Sequence, residues 1–392
     1  MTAAARAPGT VARMARITWY RHRPAMTAIT GVFAVAVAVL LTEGLGMRSV
    51  ISGQGLSRCL GTSVYGGVCG YGQPLASLTS QWDIFLNRPY YAADLMEVLN
   101  LLPLVVAMFA GIPWLTREFE TGSFRFTWVQ GMSRRQWLLG TFGPLVATAA
   151  VAAVVCGLVF EWWFQVAQWT ANDYPYGGWS WVPFGLSPLT LTGWTIFAMA
   201  LALPIALLVR RTVLAMGCCA VAFVACFTLV NRQLRDWLVT LAPAVAKSQY
   251  GGITAARSWN ALYLRSWVTG PGGAPASGTV MGKLNSMTGV QADRWIAQHG
   301  YTYWVAYQPH DRLQLFQFAV MAVLLILALV LTLAAVWLLP RRAGDLPELV
   351  QVSKLVQVGL KQRRGTGGCS GTYRPCRSRK PANQPGSARI WP

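Results

Sequence analysis

An all-α polytopic membrane protein, with six transmembrane helices and a long external loop between helices five and six, is the fold class that the sequence predicts. Three observations predict it. The composition is 54% hydrophobic and only 12% charged, about half the charged share usual for soluble domains. Six segments reach the roughly 20 apolar residues needed to cross the hydrocarbon. Arginines fall at alternate ends of those segments, the mark of cytoplasmic loops.

The spans run Ala25 to Met47, Leu95 to Leu115, Gly140 to Phe164, Thr190 to Val209, Thr212 to Val230 and Leu315 to Leu339. The first follows Arg13, Arg16, Arg21 and Arg23, which imitates the front of a signal peptide. The apolar run is long and no clean small-x-small site follows it, so it reads as an uncleaved span. Ser133 with Gln136 fits a capping box before span three, and Ser187-Pro188 places a cap and a first-turn proline before span four.

Orientation follows from the arginines. Arg117, Arg125, Arg134 and Arg135 lie between spans two and three, Arg210 and Arg211 between four and five, and Arg341 and Arg342 after six. With the N-terminal cluster they put both termini in the cytoplasm of a cell whose plasma membrane the chain crosses. The loop from Gln165 to Leu189 has no Lys or Arg, and the first loop carries only Arg48, Arg58 and Arg88. The expected organisation is a basic cytoplasmic N-terminus (1–24), a transmembrane domain (25–342) and a basic, largely disordered cytoplasmic tail (343–392). Within the domain, external loops cover 48–94, 165–189 and 231–314, and a cytoplasmic loop covers 116–139. The long loop carries Trp237, Trp259, Trp267, Trp295 and Trp304 among Gly- and Pro-rich stretches, which suggests a small folded cap or interfacial helices.

The excess of basic residues, 33 Lys+Arg against 13 Asp+Glu with a pI near 10.2, does not mark a nucleic-acid binder. The arginines flank apolar runs and fill the tail, with no basic amphipathic face. The tail's natural partner is anionic membrane lipid, at about 1 kcal/mol per basic residue near the surface. Only five basic residues are lysines, a usage that points to a GC-rich bacterial genome.

Chemistry-bearing residues are few. Cys59 and Cys69, in the first external loop, are a candidate disulfide. Cys156, Cys218, Cys219 and Cys226 lie in apolar segments, Cys369 and Cys376 lie in the tail, and none shows zinc-ligand spacing. His22 lies across the membrane from His299 and His310, so no three-histidine metal site forms. The acidic residues Glu43, Asp94, Glu97 and Glu161 lie near the external boundary, where carboxylates favour a cationic substrate at an outer gate. Asn100 lies deeper, with Pro103, Pro113 and Pro204; prolines kink helices and an asparagine can bond across them. These five polar residues, Asn100 among them, are the candidate substrate pathway.

The connection from Arg117 to Gly140, which opens Arg117-Glu118-Phe119-Glu120-Thr121-Gly122-Ser123-Phe124-Arg125 and includes Ser133-Arg134-Arg135, alternates acidic, aromatic and basic residues, and Gly122 and Gly131 break it into a kinked surface element. It resembles the first cytoplasmic loop of six-span, type-2 permeases of bacterial ABC exporters, whose pattern is Glu-x-Glu-x-Gly-Thr/Ser, a hydrophobic stretch and a Ser-Arg-Arg-like helix start. The stretch Tyr307-Gln308-Pro309-His310-Asp311-Arg312-Leu313-Gln314-Leu315-Phe316-Gln317 looks like the entry to the sixth span in a bacterial subgroup of these permeases, with Leu313 and Gln314 replacing an aromatic pair. The resemblance runs from the first span to Arg342.

What the resemblance implies is the translocation subunit of an ATP-driven exporter, with no enzymatic activity of its own. It implies two kinds of partner: a separate ABC ATP-binding subunit, and a second permease copy or a related permease. Arg117, Glu118, Glu120, Gly122, Ser123 and Arg125 would form the ATPase-coupling loop. No cofactor is expected in this chain; ATP and magnesium belong to the partner. The nearest approach to a phosphate loop, Gly278 to Leu284, has the wrong glycine spacing and no Ser/Thr after Lys283. Two other classes stay open at this point. One is a membrane-embedded enzyme acting on lipid-linked substrates, with Glu43, Asp94 and Glu97 as catalytic carboxylates; the other is a proton-driven secondary transporter, which inverted repeats would mark.

Overall fold

The computed structural model describes residues 8–53, 89–121, 134–170, 177–209, 211–248 and 261–344. Among them, six helices are long and apolar enough to cross a membrane: Arg23–Ser49, Asp94–Arg117, Gly140–Gln165, Pro188–Leu208, Thr212–Thr240 and His310–Leu338. Each overlaps its expected span. The helices run further than hydropathy alone indicates: the first begins at Pro8, passes through Pro24 and ends at Gly53. Span five continues beyond Val230 through a π-helical turn, Val230–Leu234, and a last helical piece, Arg235–Thr240. Ser133 of the expected capping box lies outside the described residues, whereas the start of span four is as expected. The Ser187 hydroxyl accepts from the Thr190 N–H at 3.4 Å, and Pro188 stands in the first turn, where no amide is needed.

Span four is the centre. Its apolar window is 83% buried, against 61% for span two and 33% or less for the other four. Lipid tails are as apolar as leucine, so helices gain little by hiding apolar surface and associate through close packing. Small residues mark the crossings. Gly111 of span two faces Ala202 and Met199 of span four, Gly193 faces Met321 of span six, and Gly157 of span three lies so near Pro188 that an added Cβ would sit 2.5 Å from its Cα. Aromatic rings complete the contact with span five, where Trp194 meets Phe223 at 5.5 Å and Phe227 at 4.9 Å.

Spans one and three pair along their length. The buried positions on span one, Met26, Ile29, Phe33, Ala36, Leu40 and Met47, repeat at intervals of three, four and seven. Those on span three, Leu138, Phe142, Leu145, Ala149, Ala153, Cys156, Phe160 and Trp163, do nearly the same. Such seams are what helices inclined by about 20° present to one another. Threonines inside the spans satisfy their hydroxyls on the preceding turn: Thr30 to Met26, Thr148 to Pro144, Thr195 to Leu191 and Thr332 to Ala328.

Between spans five and six the chain leaves the bundle and forms a small sheet with helices, more structure than a loop in an all-α fold provides. Strands β1 (Ala244–Lys247), β2 (Leu262–Thr269) and β3 (Thr302–Gln308) are antiparallel in the order β1-β3-β2. The local sequence explains them: β2 and β3 read Leu-Tyr-Leu-Arg-Ser-Trp-Val-Thr and Thr-Tyr-Trp-Val-Ala-Tyr-Gln, rich in the aromatic and β-branched residues that fit a pleated surface. Trp267 pairs directly with Trp304. A turn through Gly270 and Gly273, the latter at φ 77°, leads to two short helices, Gly278–Asn285 and Gly289–Gln298. The stretch from Gly278 to Leu284 thus forms helix within this domain. Val268, Leu284, Ala292 and Ile296 are its buried core.

The glycine crossing on span three is open to a direct check. Gly157→Ala is expected to lower the thermal unfolding midpoint of the purified chain in detergent, by an overpacking cost of about 1–3 kcal/mol. Gly143→Ala, whose added methyl would meet nothing within 4 Å, should leave the midpoint unchanged or raise it.

Candidate translocation site

Span two is interrupted. A helix over Pro89–Leu99 ends at a turn on Asn100 and Leu101, a short helix Leu102–Val106 follows, then a π-helical turn Ala107–Gly111, then a helix Ile112–Thr121. Pro103 accounts for the turn, because it has no N–H and its ring excludes the carbonyl four residues earlier. Asn100 occupies the break. Its side-chain amide donates to the Met96 carbonyl at 3.0 Å and to the Val182 carbonyl at 3.1 Å, 82 residues away. The side chain is 4% exposed, yet among the described residues its Oδ1 has no hydrogen-bond partner, and it abuts Gly185, where an added Cβ would press on it. A buried acceptor left in this way costs about 1–3 kcal/mol. The cross-helix bond expected of Asn100 is therefore present, and it reaches a segment that sequence reasoning left as plain loop.

That segment, residues 177–187, is folded into the bundle. Trp179, Val182, Pro183, Phe184, Gly185, Leu186 and Ser187 are buried, and Trp181–Leu186 is helical. Every neighbouring span except the first takes hold of it. Span two supplies the Asn100 amide, and span three places Gly157 against Ser187 and Pro188. Span four supplies the Thr190 hydroxyl, which donates to the Phe184 carbonyl. From span five, Arg235 donates to the Trp179 carbonyl at 3.3 Å while paired with Asp236 at 2.8 Å. From span six, Phe316 meets the Trp179 ring edge-on at 5.5 Å and Leu313 packs on Gly178. The sequence carried a signal for this: a run with no Lys or Arg, dense in Trp, Pro and Gly, is ill suited to open water.

The stretch Tyr307 to Gln317 fastens the domain to the same end of the bundle. Gln308, fully buried, donates to the carbonyls of Val239 at 2.8 Å and Leu241 at 3.0 Å. Arg312 donates to the carbonyl of Ala242 at 2.9 Å. Ala242 has φ 46°, the left-handed region that a non-glycine residue rarely enters, and the Arg312 bond holds the chain there as it turns from span five into β1. Gln317 is also buried. On the sheet, burial and then the neighbouring Tyr307 push the Tyr263 phenol above its ordinary value.

The candidate carboxylates are distributed over three spans. Glu43 is half-buried on span one; Asp94 and Glu97 are exposed on span two and Glu161 is exposed on span three. Spans one and three are tight at this level: an added Cβ on Gly44 would collide with the ring of Trp162, and the Arg48 guanidinium lies 4.5 Å over that ring. Among the described residues no three His, Cys, Asp or Glu side chains gather closely enough to hold a metal ion. Cys156, Cys218, Cys219 and Cys226 are free thiols. Cys59 and Cys69 lie outside the described residues.

At the opposite end, the helix of span two carries Arg117, exposed, and continues through Glu118 and Glu120 to Thr121. Gly122, Ser123 and Arg125 lie outside the described residues. Just inside this end, the Thr212 hydroxyl at the start of span five donates to the buried Thr116 hydroxyl at 3.1 Å, and Thr116 donates to the Ile112 carbonyl at 3.1 Å. The foot of span two is thus tied to the foot of span five.

Six apolar spans among the described residues, five of them around the buried fourth, define a multi-pass membrane protein. The chain belongs to the family described as ABC-2 membrane transporter related, which matches residues 30–235, and it fits a type-2 ABC permease. The match takes in spans one to five up to Arg235 and stops before the sheet domain and span six. No curated protein and no solved structure matches the chain.

The Gln308 clasp is testable by itself. Gln308→Ala leaves two carbonyls without their donor and is expected to cost about 1–3 kcal/mol. It should appear as a lower unfolding midpoint and as faster proteolytic cleavage around residues 239–242.

Proposed function

We propose that the chain is the permease subunit of an ATP-driven exporter, lining the translocation pathway and taking its driving force from a separate ATP-hydrolysing subunit. The observation that carries this reading is the family match over spans one to five. The helix that runs unbroken from Ile112 to Thr121 supports it, because a rigid rod leaving the membrane transmits displacement where a flexible loop would absorb it. Arg117, Glu118, Glu120, Gly122, Ser123 and Arg125 form the docking element, with the two glutamates meeting basic residues of the ATPase and Gly122 shaping the turn. ATP and magnesium are held by that partner.

In this reading both termini are cytoplasmic, the membrane is the plasma membrane, and the sheet domain is external. The permease works as a homodimer or with a related permease. Glu43, Asp94, Glu97, Glu161 and Asn100 border the outer part of the pathway, where carboxylates favour cationic cargo. Cys59 and Cys69, on the oxidising side, form a bridge worth about 2–4 kcal/mol.

The partnership predicts that a neighbouring reading frame encodes a P-loop ATPase without spans of its own, and co-expression with that subunit tests it. The two should co-purify, and Glu118→Lys with Glu120→Lys should abolish the effect of the permease on ATPase rate without lowering permease yield. An ATPase rate indifferent to the double charge reversal removes the coupling role. The orientation is tested separately in intact cells: Cys369 should resist a membrane-impermeant thiol reagent, and its modification reverses the topology.

A further inference from the structure

We propose that residues 177–187 are a gate that closes the pathway at the domain end of the bundle, and that Asn100 is its latch. The inference rests on the permease reading, since a gate needs a pathway. Three features of the structure carry it. First, the segment is a separate short helix wedged among spans two to six, with Val182, Phe184 and Leu186 buried inside the bundle although chain connectivity requires only a surface link. Second, contacts that can be exchanged for water hold it: the amide of Asn100, the hydroxyl of Thr190 and the guanidinium of Arg235, beside ring contacts of Trp179 with Phe316 and of Trp181 with Phe227. Third, the latch is imperfect. Asn100 satisfies its donor on Val182 while its Oδ1 stays buried against Gly185 with no partner among the described residues.

An arrangement that is fully satisfied has no reason to move. Here, withdrawal of the segment would let water reach Oδ1, which offsets part of the loss of the Val182 bond and lowers the cost of opening. The turn at Asn100 and the π-helical turn at Ala107–Gly111 give span two two adjacent points of bending between the latch and the helix that leaves the opposite end. Bending there draws Asn100 away from Val182. The Thr116–Thr212 bond carries the same displacement into span five, whose far end holds Trp179 through Arg235. Both holds are then released by one motion.

Thiol protection tests the gate without any substrate. In a full-length chain whose native cysteines are replaced, Val182→Cys introduces a near-isosteric thiol at a position 6% exposed. In lipid nanodiscs it should react slowly with a water-soluble maleimide. Adding Asn100→Leu, which keeps the branching and heavy-atom count of the side chain and removes the amide, should speed the reaction about tenfold, the change that losing one buried hydrogen bond brings to a local opening. Thr190→Val should act in the same direction. Ala149→Cys, fully buried on span three, should stay protected throughout. An unchanged Val182→Cys rate in the Asn100→Leu background overturns the latch. An equal rise at Ala149→Cys shows that the whole bundle has loosened and overturns it too. The assay contains no ATPase subunit, so its failure leaves the partnership standing, and failure of the ATPase to co-purify leaves the labelling result standing.

Discussion

Close approach of helix backbones around span four is the constraint on which the bundle depends. In water, an apolar stripe specifies a partner because burial itself is favourable. In lipid that preference is gone, and what distinguishes one apolar face from another is how nearly two helices can touch. Gly111 against Ala202, Gly157 against Pro188 and Gly193 against Met321 set three of those distances. At Gly157 one methyl group more would push the helices apart, and at Gly111 and Gly193 it would fit only if its neighbours shifted by a few tenths of an ångström. Span four, enclosed on these faces and by the Trp194 aromatic cluster with span five, becomes the axis around which the other helices are placed.

The same closeness makes the polar exceptions informative. Most hydroxyls inside the spans bond to the turn below and do nothing beyond it. Asn100, Thr116, Thr190 and Arg235 differ, because each reaches another element. Three of the four hold the 177–187 segment at the domain end, and the fourth ties the feet of spans two and five. The polar contacts between elements in this part of the chain therefore concentrate at its two ends, while the middle is held by shape. A bundle built this way can rock about its packed centre while contacts at its ends are exchanged.

Much of the fold was legible. All six spans overlap their expected limits, and the Ser187-Pro188 start of span four was readable because a cap and a first-turn proline are local features. Asn100 was readable as a residue that can bond across helices, since hydrocarbon offers an amide no partner. Its partner was not, because Val182 contributes only a carbonyl, which every residue has. The strands of the domain after span five were missed for a related reason. Their tryptophans were seen, but interfacial helices carry tryptophan too, and the strand pairing that sets Trp267 opposite Trp304 exists only in the folded domain.

By itself, the sequence determined that the chain crosses the membrane, how many apolar spans it offers, and about where each lies. Those properties follow from length, apolarity and charge, which act on each segment separately. Tertiary structure alone decided that span four is central, that span two is broken at Asn100, and that residues 177–187 enter the bundle. A helix apolar on every face carries no mark of which face meets protein and which meets lipid. The fit between particular surfaces supplies that mark, and it exists only once the helices are together.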